Sequence, residues 1–407
     1  MSDDEEQIEE QDLEDTDVQL EPDQPYPGEN ERFEVSSYGW DVDVEGLVKR
    51  MNRGDIYVPG FQRGFVWSRT EKSRFIESLI LGLPVPTLFL ARDADSNKLN
   101  IIDGQQRLRT LQSYLNGEFS LSGKEIPEDL KGRYYSTRHE KTPSSKILTP
   151  ADERTLADAV IHSIVIRPNP RDDDNELGGE YNKAIIQVFK RLNTSGKALT
   201  AQEVRASIFH GELLNLVQSL NENEDWRALF GNKHSRMKDQ EAVLRAIALY
   251  QNGDAYKSSM PKFLDGFMED NRHMDPATCQ VLQTKFEAAV RLIRKELGDM
   301  SLKKGGTFML TKFDALIVGL MSLVPSQVFE SVDHAVSTVE ELLGERSLQN
   351  RLAELESDTR GVDKNGEEVD GLQEIDRGYM WSVAKFTNDT NRVSVRLRVA
   401  KEVFAVQ

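Results

Sequence analysis

The chain has a single cysteine, Cys279, so it can form no internal disulfide and no cysteine-based zinc site. No apolar run approaches the length of a membrane span. The first residues are acidic, unlike the basic-then-apolar start of a secretory signal. A cytoplasmic protein without membrane partners is expected. Basic residues are missing altogether from the first 30 positions, which hold 13 Asp or Glu. The total charge is −18, which leaves only −5 for the other 377 residues. The acidity is therefore concentrated in an arm, and it does not exclude a local basic groove in the remainder. With 38% hydrophobic and 29% charged residues, the rest has the composition of globular domains.

The densest signal lies between Leu99 and Leu115, LNIIDGQQRLRTLQSYL. Leu99–Ile102 reads as a short buried strand. Leu108, Leu111 and Leu115 recur with helical spacing, and Gly117 is a helix stop. Asp103-Gly104-Gln105-Gln106-Arg107 thus falls where a strand passes into a helix. Unpaired backbone N–H groups and the helix dipole make that a place for phosphate. Gly104 allows close approach, Arg107 offers a fork of donors, and Asp103 can orient water or reach Mg2+ through water. An Asp-Gly turn followed by a solvated arginine is the plainer reading of the same residues.

The pattern upstream predicts a helix over Val44–Met51 and a strand over Ile56–Val58. An irregular loop follows, Phe61-Gln62-Arg63-Gly64-Phe65-Val66-Trp67. Ser68 and Glu71 form a capping box that opens a helix with Phe75, Ile76, Leu79, Ile80 and Leu83 inward. Strands are expected at Thr87–Ala91, Phe119–Leu121 and Ile161–Ile166. The segment 132–149 interleaves Arg133, Tyr134, Tyr135, Arg138 and Lys141, a mixture suited to stacking and phosphate contact with nucleic acid. A helix ending near Leu192 leads into Asn193-Thr194-Ser195-Gly196-Lys197, and Thr200 and Glu203 make a second capping box. Beyond His210 helices are expected at 213–220, 240–251, 276–297, 313–324 and 332–343. Arg236, Asp239, Glu241 and Arg245 read as one structural ion-pair network.

FQRGFVW, DGQQR and FKRLNT with Gln202-Glu203-Val204-Arg205, in this order, resemble the N-terminal domain of the GmrSD-type restriction proteins. That domain is ParB/sulfiredoxin-like, and related domains occur in the SspE phage-defence protein. The resemblance implies an α+β fold, a small mixed-sheet domain followed by a mainly α-helical one. The expected divisions are an acidic arm over 1–35, a nucleotide-binding domain over 36–209, a helical domain over 210–345, and a polar segment with a last helix over 346–407. It also implies binding and hydrolysis of a nucleoside triphosphate, GTP among the candidates, with Mg2+ as a possible companion. Asp103 and Arg107 would carry hydrolysis, and Gln62, Arg63, Gly104, Gln105, Gln106 and Asn193 would line the pocket. Implied partners are phage or modified DNA and a separate nuclease subunit, with the oligomeric state open. The six histidines, His139, His162, His210, His234, His273 and His334, show no HNH nuclease spacing. Two other functions remain open: a nucleotide- or DNA-binding module without turnover, and a nicking nuclease that uses the same site.

Overall fold

The computed structural model describes residues 35–57, 67–93, 96–135, 144–168, 184–188, 200–234, 236–257, 259–344, 347–362, 377–384 and 388–405. Their contacts divide them into two units, the first ending at Ile208 and the second beginning at Phe209.

The first unit is built on a five-stranded mixed sheet. In chain order the elements are β1 (Val35–Asp43), α1 (Val44–Asn52), β2 (Ile56–Tyr57), α2 (Arg69–Ile80), β3 (Leu88–Arg92), β4 (Leu99–Asp103), α3 (Gln105–Leu115), α4 (Pro150–Asp158), β5 (Val160–Pro168) and α5 (Ala201–Ile208). The strand order is β1-β5-β3-β4-β2. The pairs β1/β5 and β3/β4 are antiparallel, while β3/β5 and β2/β4 are parallel. Helices form where apolar residues fall on one face. In α1 the buried residues are Val44, Leu47, Val48 and Met51, and the Asp43 carboxylate caps its start through Gly46 N at 2.6 Å. In α2 the Ser68–Glu71 capping box is complete, and Phe75, Ile76, Leu79 and Ile80 are buried. These side chains meet Leu88, Leu90, Leu99, Ile101, Ile161 and Val165 of the sheet in one core. Each fully buried Leu or Ile there contributes roughly 1.5–3 kcal/mol.

Several expectations are corrected. Leu83 is exposed, because the chain turns at Gly82 (φ 68°) and the helical spacing no longer applies beyond it. Phe119–Leu121 is not a strand; Leu121 exchanges backbone hydrogen bonds with Gly132 and Arg133 in a loop. β1 and α4 carry no sequence forecast. β1 pairs with a strand more than a hundred residues away, and α4 buries only Leu156.

The second unit is helical. Its main elements are α6 (Glu212–Asn221), α7 (Glu224–Phe230), α8 (Lys238–Asn252), α9 (Met260–Asp270), α10 (Pro276–Leu297), a two-stranded β6/β7 ribbon (Lys303–Lys304 and Thr307–Phe308), α11 (Leu310–Leu323), α12 (Val332–Leu343), α13 (Leu348–Ser357), α14 (Tyr379–Ala384) and α15 (Thr390–Phe404). Trp226 sits among Phe286, Phe308 and Phe313 at centroid distances of 6.0, 5.7 and 5.0 Å. Of the residues expected in one ion-pair network, Asp239 and Arg245 have different partners. Asp239 accepts from Arg227 at 2.9 Å and from Asn221 at 3.0 Å. Arg245 reaches Asp314 on α11 at 2.6 Å, and Arg396 on α15 reaches the same carboxylate at 2.9 Å. All three are buried, so this cluster joins α8, α11 and α15. Among the described residues no helix is long and apolar enough to cross a membrane.

Candidate functional site

The strand-to-helix turn forms as its residues dictate. β4 places Leu99 and Ile101 in the core and ends in the half-buried Asp103. Gly104 then adopts φ 101°, ψ 16°, a left-handed conformation that glycine takes without penalty. Glycine is required there for a second reason. A Cβ at this position would lie 2.2 Å from Leu88 Cδ2 and 3.1 Å from an Arg107 guanidinium nitrogen. The space beside its Cα is filled by these two side chains.

Helix α3 starts at Gln105, and its N-cap makes no side-chain hydrogen bond. The first turn contains no acid. The dipole of the helix therefore points its positive end at the turn that holds Asp103.

Arg107 lies one turn beyond Asp103, and long helical side chains lean toward the N-terminus. Its NH2 donates to Asp103 Oδ2 at 2.6 Å. Its NH1 donates to the carbonyl of Thr87 at 3.1 Å and to that of Pro86. The residue is only 9% exposed. Burial pulls its pKa down, while the Asp103 carboxylate opposes the shift. Much of the guanidinium fork is thus spent on protein acceptors, and the Asp103 side chain, 39% exposed, is the more accessible partner.

Two glutamines follow. Gln105 and Gln106 are half-buried, and Gln106 Oε1 is a buried acceptor without a hydrogen-bond partner. Along the same helix Arg109 sits beside Tyr57. Burial raises the Tyr57 phenol pKa and lowers that of Arg109, and each partner opposes the other's shift. β2 runs parallel to β4, with Tyr57 opposite Asn100. Gln62 and Arg63 of the following segment lie outside the described residues, as does Asn193.

The second capping box is present. Thr200 N donates to Glu203 Oε2 at 2.6 Å, and Glu203 N donates to Thr200 Oγ1 at 3.2 Å. It opens α5, which packs against β4. Gln202, Glu203 and Arg205 are all buried on this helix. Gln202 Oε1 accepts from Arg205 at 3.3 Å, but Gln202 Nε2 has no acceptor. A buried donor left unpaired costs about 1–3 kcal/mol. Sequence reasoning saw the motif and missed that its polar side chains are enclosed.

The aromatic and basic segment after Gly132 is knit into the fold where it is described. Arg133 donates to the carbonyls of Ile147, at 2.7 Å, and Asp129. Tyr135 is 9% exposed and packs edge-on to Tyr114. The backbone of Tyr134 pairs with that of Lys146 and Leu148. Arg138 and Lys141 lie outside the described residues.

Among the described residues no three His, Cys, Asp or Glu side chains gather as a metal site. Asp103 offers a single carboxylate, which suits a water-mediated contact to a cation carried in with a phosphate ligand and not a protein cage.

Residues 44–210 match the family described as GmrSD restriction endonuclease, N-terminal domain. No curated protein and no solved structure matches the chain.

Proposed function

Because the chain carries a GmrSD-type restriction protein N-terminal domain over residues 44–210, we propose that it is the nucleoside triphosphate-binding and hydrolysing switch of a DNA restriction or phage-defence system. The observation that carries this reading is the Asp103–Arg107 pair, locked across the left-handed Gly104 turn at the start of α3. The leading N–H groups would hold phosphate oxygens. Asp103 would orient the attacking water for in-line displacement, chemistry that depends mainly on positioning and charge stabilisation. Arg107 would act through Asp103, holding its carboxylate toward the turn, and would add cationic charge beside the phosphates. Gln105 and the unpaired Gln106 Oε1 would supply further contacts. Mg2+, where bound, would come with the triphosphate and meet Asp103 through water.

One observation favours a second reading. Arg107 spends donors on Asp103, Thr87 and Pro86, which leaves fewer for charge that develops in a transition state. A module that binds nucleotide without turnover would have this geometry too. Phosphate release measured with each nucleoside triphosphate, alongside thermal shifts, separates them. The switch requires both release and a raised melting temperature, because a ligand that binds only the folded state stabilises it. A shift without release leaves the binding module. Neither effect with any triphosphate removes both.

A further inference from the structure

Along β1, on the face of the sheet that packs into the core with α1 and α2, aromatic and arginine side chains meet; Tyr38 lines up through Val165 with Leu90, and Trp40 through Ser163 with Leu88. Tyr38 and Trp40 alternate onto that face from β1 and pack at the margin of the core. The Arg167 guanidinium lies 5.7 Å from the centroid of the Tyr38 ring, and its Nε donates to Ser36 Oγ at 3.0 Å. Arg92, at the end of β3, donates to the Tyr38 hydroxyl at 2.7 Å and to the Asn97 carbonyl at 3.2 Å. The Arg50 guanidinium from α1 lies 5.4 Å from the Trp40 ring centroid. Arg50 and Arg167 are exposed, and both rings are half-buried.

The acids close by in sequence are directed elsewhere. Asp41 points to the opposite face, where it meets His162 at 2.9 Å, and Asp93 is buried and caps Ser96. Arg50 and Arg167 are therefore each set on an aromatic ring, Arg92 is tied to the Tyr38 hydroxyl, and the Asp41 side chain lies on the opposite face of the sheet. Stacking on an aromatic face holds a guanidinium in place while its N–H edge stays available, which favours phosphate.

We propose that Arg50, Arg92 and Arg167, set by Trp40 and Tyr38, form a nucleic-acid contact that grips the sugar–phosphate backbone. Charge complementarity commits the patch to this occupant. Single strands and duplexes share that chemistry. The inference rests on the reading of the protein as part of a DNA-directed system, but not on nucleotide turnover at Asp103.

The test uses the full chain and a fluorescein-labelled 20-mer, single-stranded and as a duplex, read by anisotropy across a salt series. Wild type should bind at least one form, with affinity falling as salt rises. Exchanging both exposed arginines, Arg50→Ala with Arg167→Ala, should weaken binding at least tenfold at low salt. The log–log salt slope should become shallower by about 1.4–1.8, the change expected when two phosphates are no longer neutralised on a single strand or a duplex. Arg50→Lys with Arg167→Lys should keep most of the slope. The thermal shift given by nucleoside triphosphate should be the same in all variants, so a wild type that shows no such shift counts against the Asp103 reading and leaves the patch standing. Weaker binding of the duplex only, or of the single strand only, identifies which form is gripped. Wild type that binds neither form, or a double variant with unchanged affinity and slope, overturns the proposal.

Discussion

Arg107 NH2 and Asp103 Oδ2 stand 2.6 Å apart across the first turn of α3, and the same guanidinium reaches back to the carbonyls of Thr87 and Pro86. One side chain thereby ties the end of β4 to the start of β3 and sets the direction of the Asp103 carboxylate. Asp103 and Arg107 should then respond differently to substitution.

Asp103→Asn keeps the size and one acceptor oxygen. Asp103 is substantially exposed, so melting should change little. If Asp103 orients the attacking water, phosphate release should fall on the order of 10²–10⁴-fold while the nucleotide-induced thermal shift survives. Release at the wild-type rate would remove Asp103 from the mechanism.

Arg107→Ala should destabilise the protein. It strips a donor from Asp103 and from two carbonyls at a site that is almost enclosed. The expected cost is about 2–3 kcal/mol, seen as a lower urea midpoint. Arg107→Lys should recover part of it, because an ammonium can reach one or two of these acceptors but not all in the fork geometry. An unchanged midpoint for Arg107→Ala would show that the enclosure does not matter to stability.

Gly104→Ala tests the turn itself. The new Cβ would sit 2.2 Å from Leu88 Cδ2 in a backbone at φ 101°. Left-handed strain and the clash together should cost about 2–4 kcal/mol. Leu88→Ala in the same background should restore part of the loss if the clash dominates. No recovery would assign the cost to the backbone.

The second unit carries a pH signature at Lys285. Its Nζ donates to the carbonyls of Met321, at 3.2 Å, and Val324 at the end of α11, and lies 5.4 Å from the Tyr250 ring centroid. Burial pushes its pKa down to about 8. Between pH 8 and the ordinary lysine value, the unfolded chain holds a proton that the folded protein has released. Stability from this group therefore rises with pH across that window and is lost as pH falls toward 8. The melting temperature of Lys285→Met, compared with wild type from pH 7.5 to 10.5, should lack this contribution. Parallel curves would show that Lys285 titrates normally.

What could be read from the sequence follows the range of the interactions. The buried face of α1 and both capping boxes depend on residues three or four apart, and they stand as read. Pro276–Leu297 and Val332–Leu343 have the bounds read from sequence, because Pro at the start of one and Gly after the end of both mark them locally. The partners of Arg107 at Pro86 and Thr87 lie twenty residues back, and no local pattern announces them. β1 reads as VSSYGWDVD, half polar on an edge, and becomes a strand only through β5. Tyr38 and Arg167 likewise meet only through that pairing, so the arginine–aromatic patch is absent from any one-dimensional reading.

The acidic arm offers the last prediction. The first 30 residues carry 13 acids and no Lys or Arg, and the chain enters the sheet at Val35. Val35 pairs with Pro168, and the next residue, Ser36, is bonded to Arg167. The last of these acids, Glu29, is six residues before Val35 in the chain, so the arm is tethered close in sequence to Ser36, and a short tether gives an effective concentration of order millimolar for whatever it can reach. An arm that reaches the patch would compete with phosphates for Arg50, Arg92 and Arg167, and salt would screen that competition. Deleting residues before Glu31 removes little apolar surface, so melting should stay within about 0.5 kcal/mol of wild type. Oligonucleotide affinity should rise in low salt, and the gain should shrink as salt approaches about 1 M, where the Debye length is near 3 Å. With Arg50→Ala and Arg167→Ala in place, the deletion should give a much smaller gain, because the arm then has less to compete for. An equal gain with and without the two arginines would mean that the arm acts only through net charge.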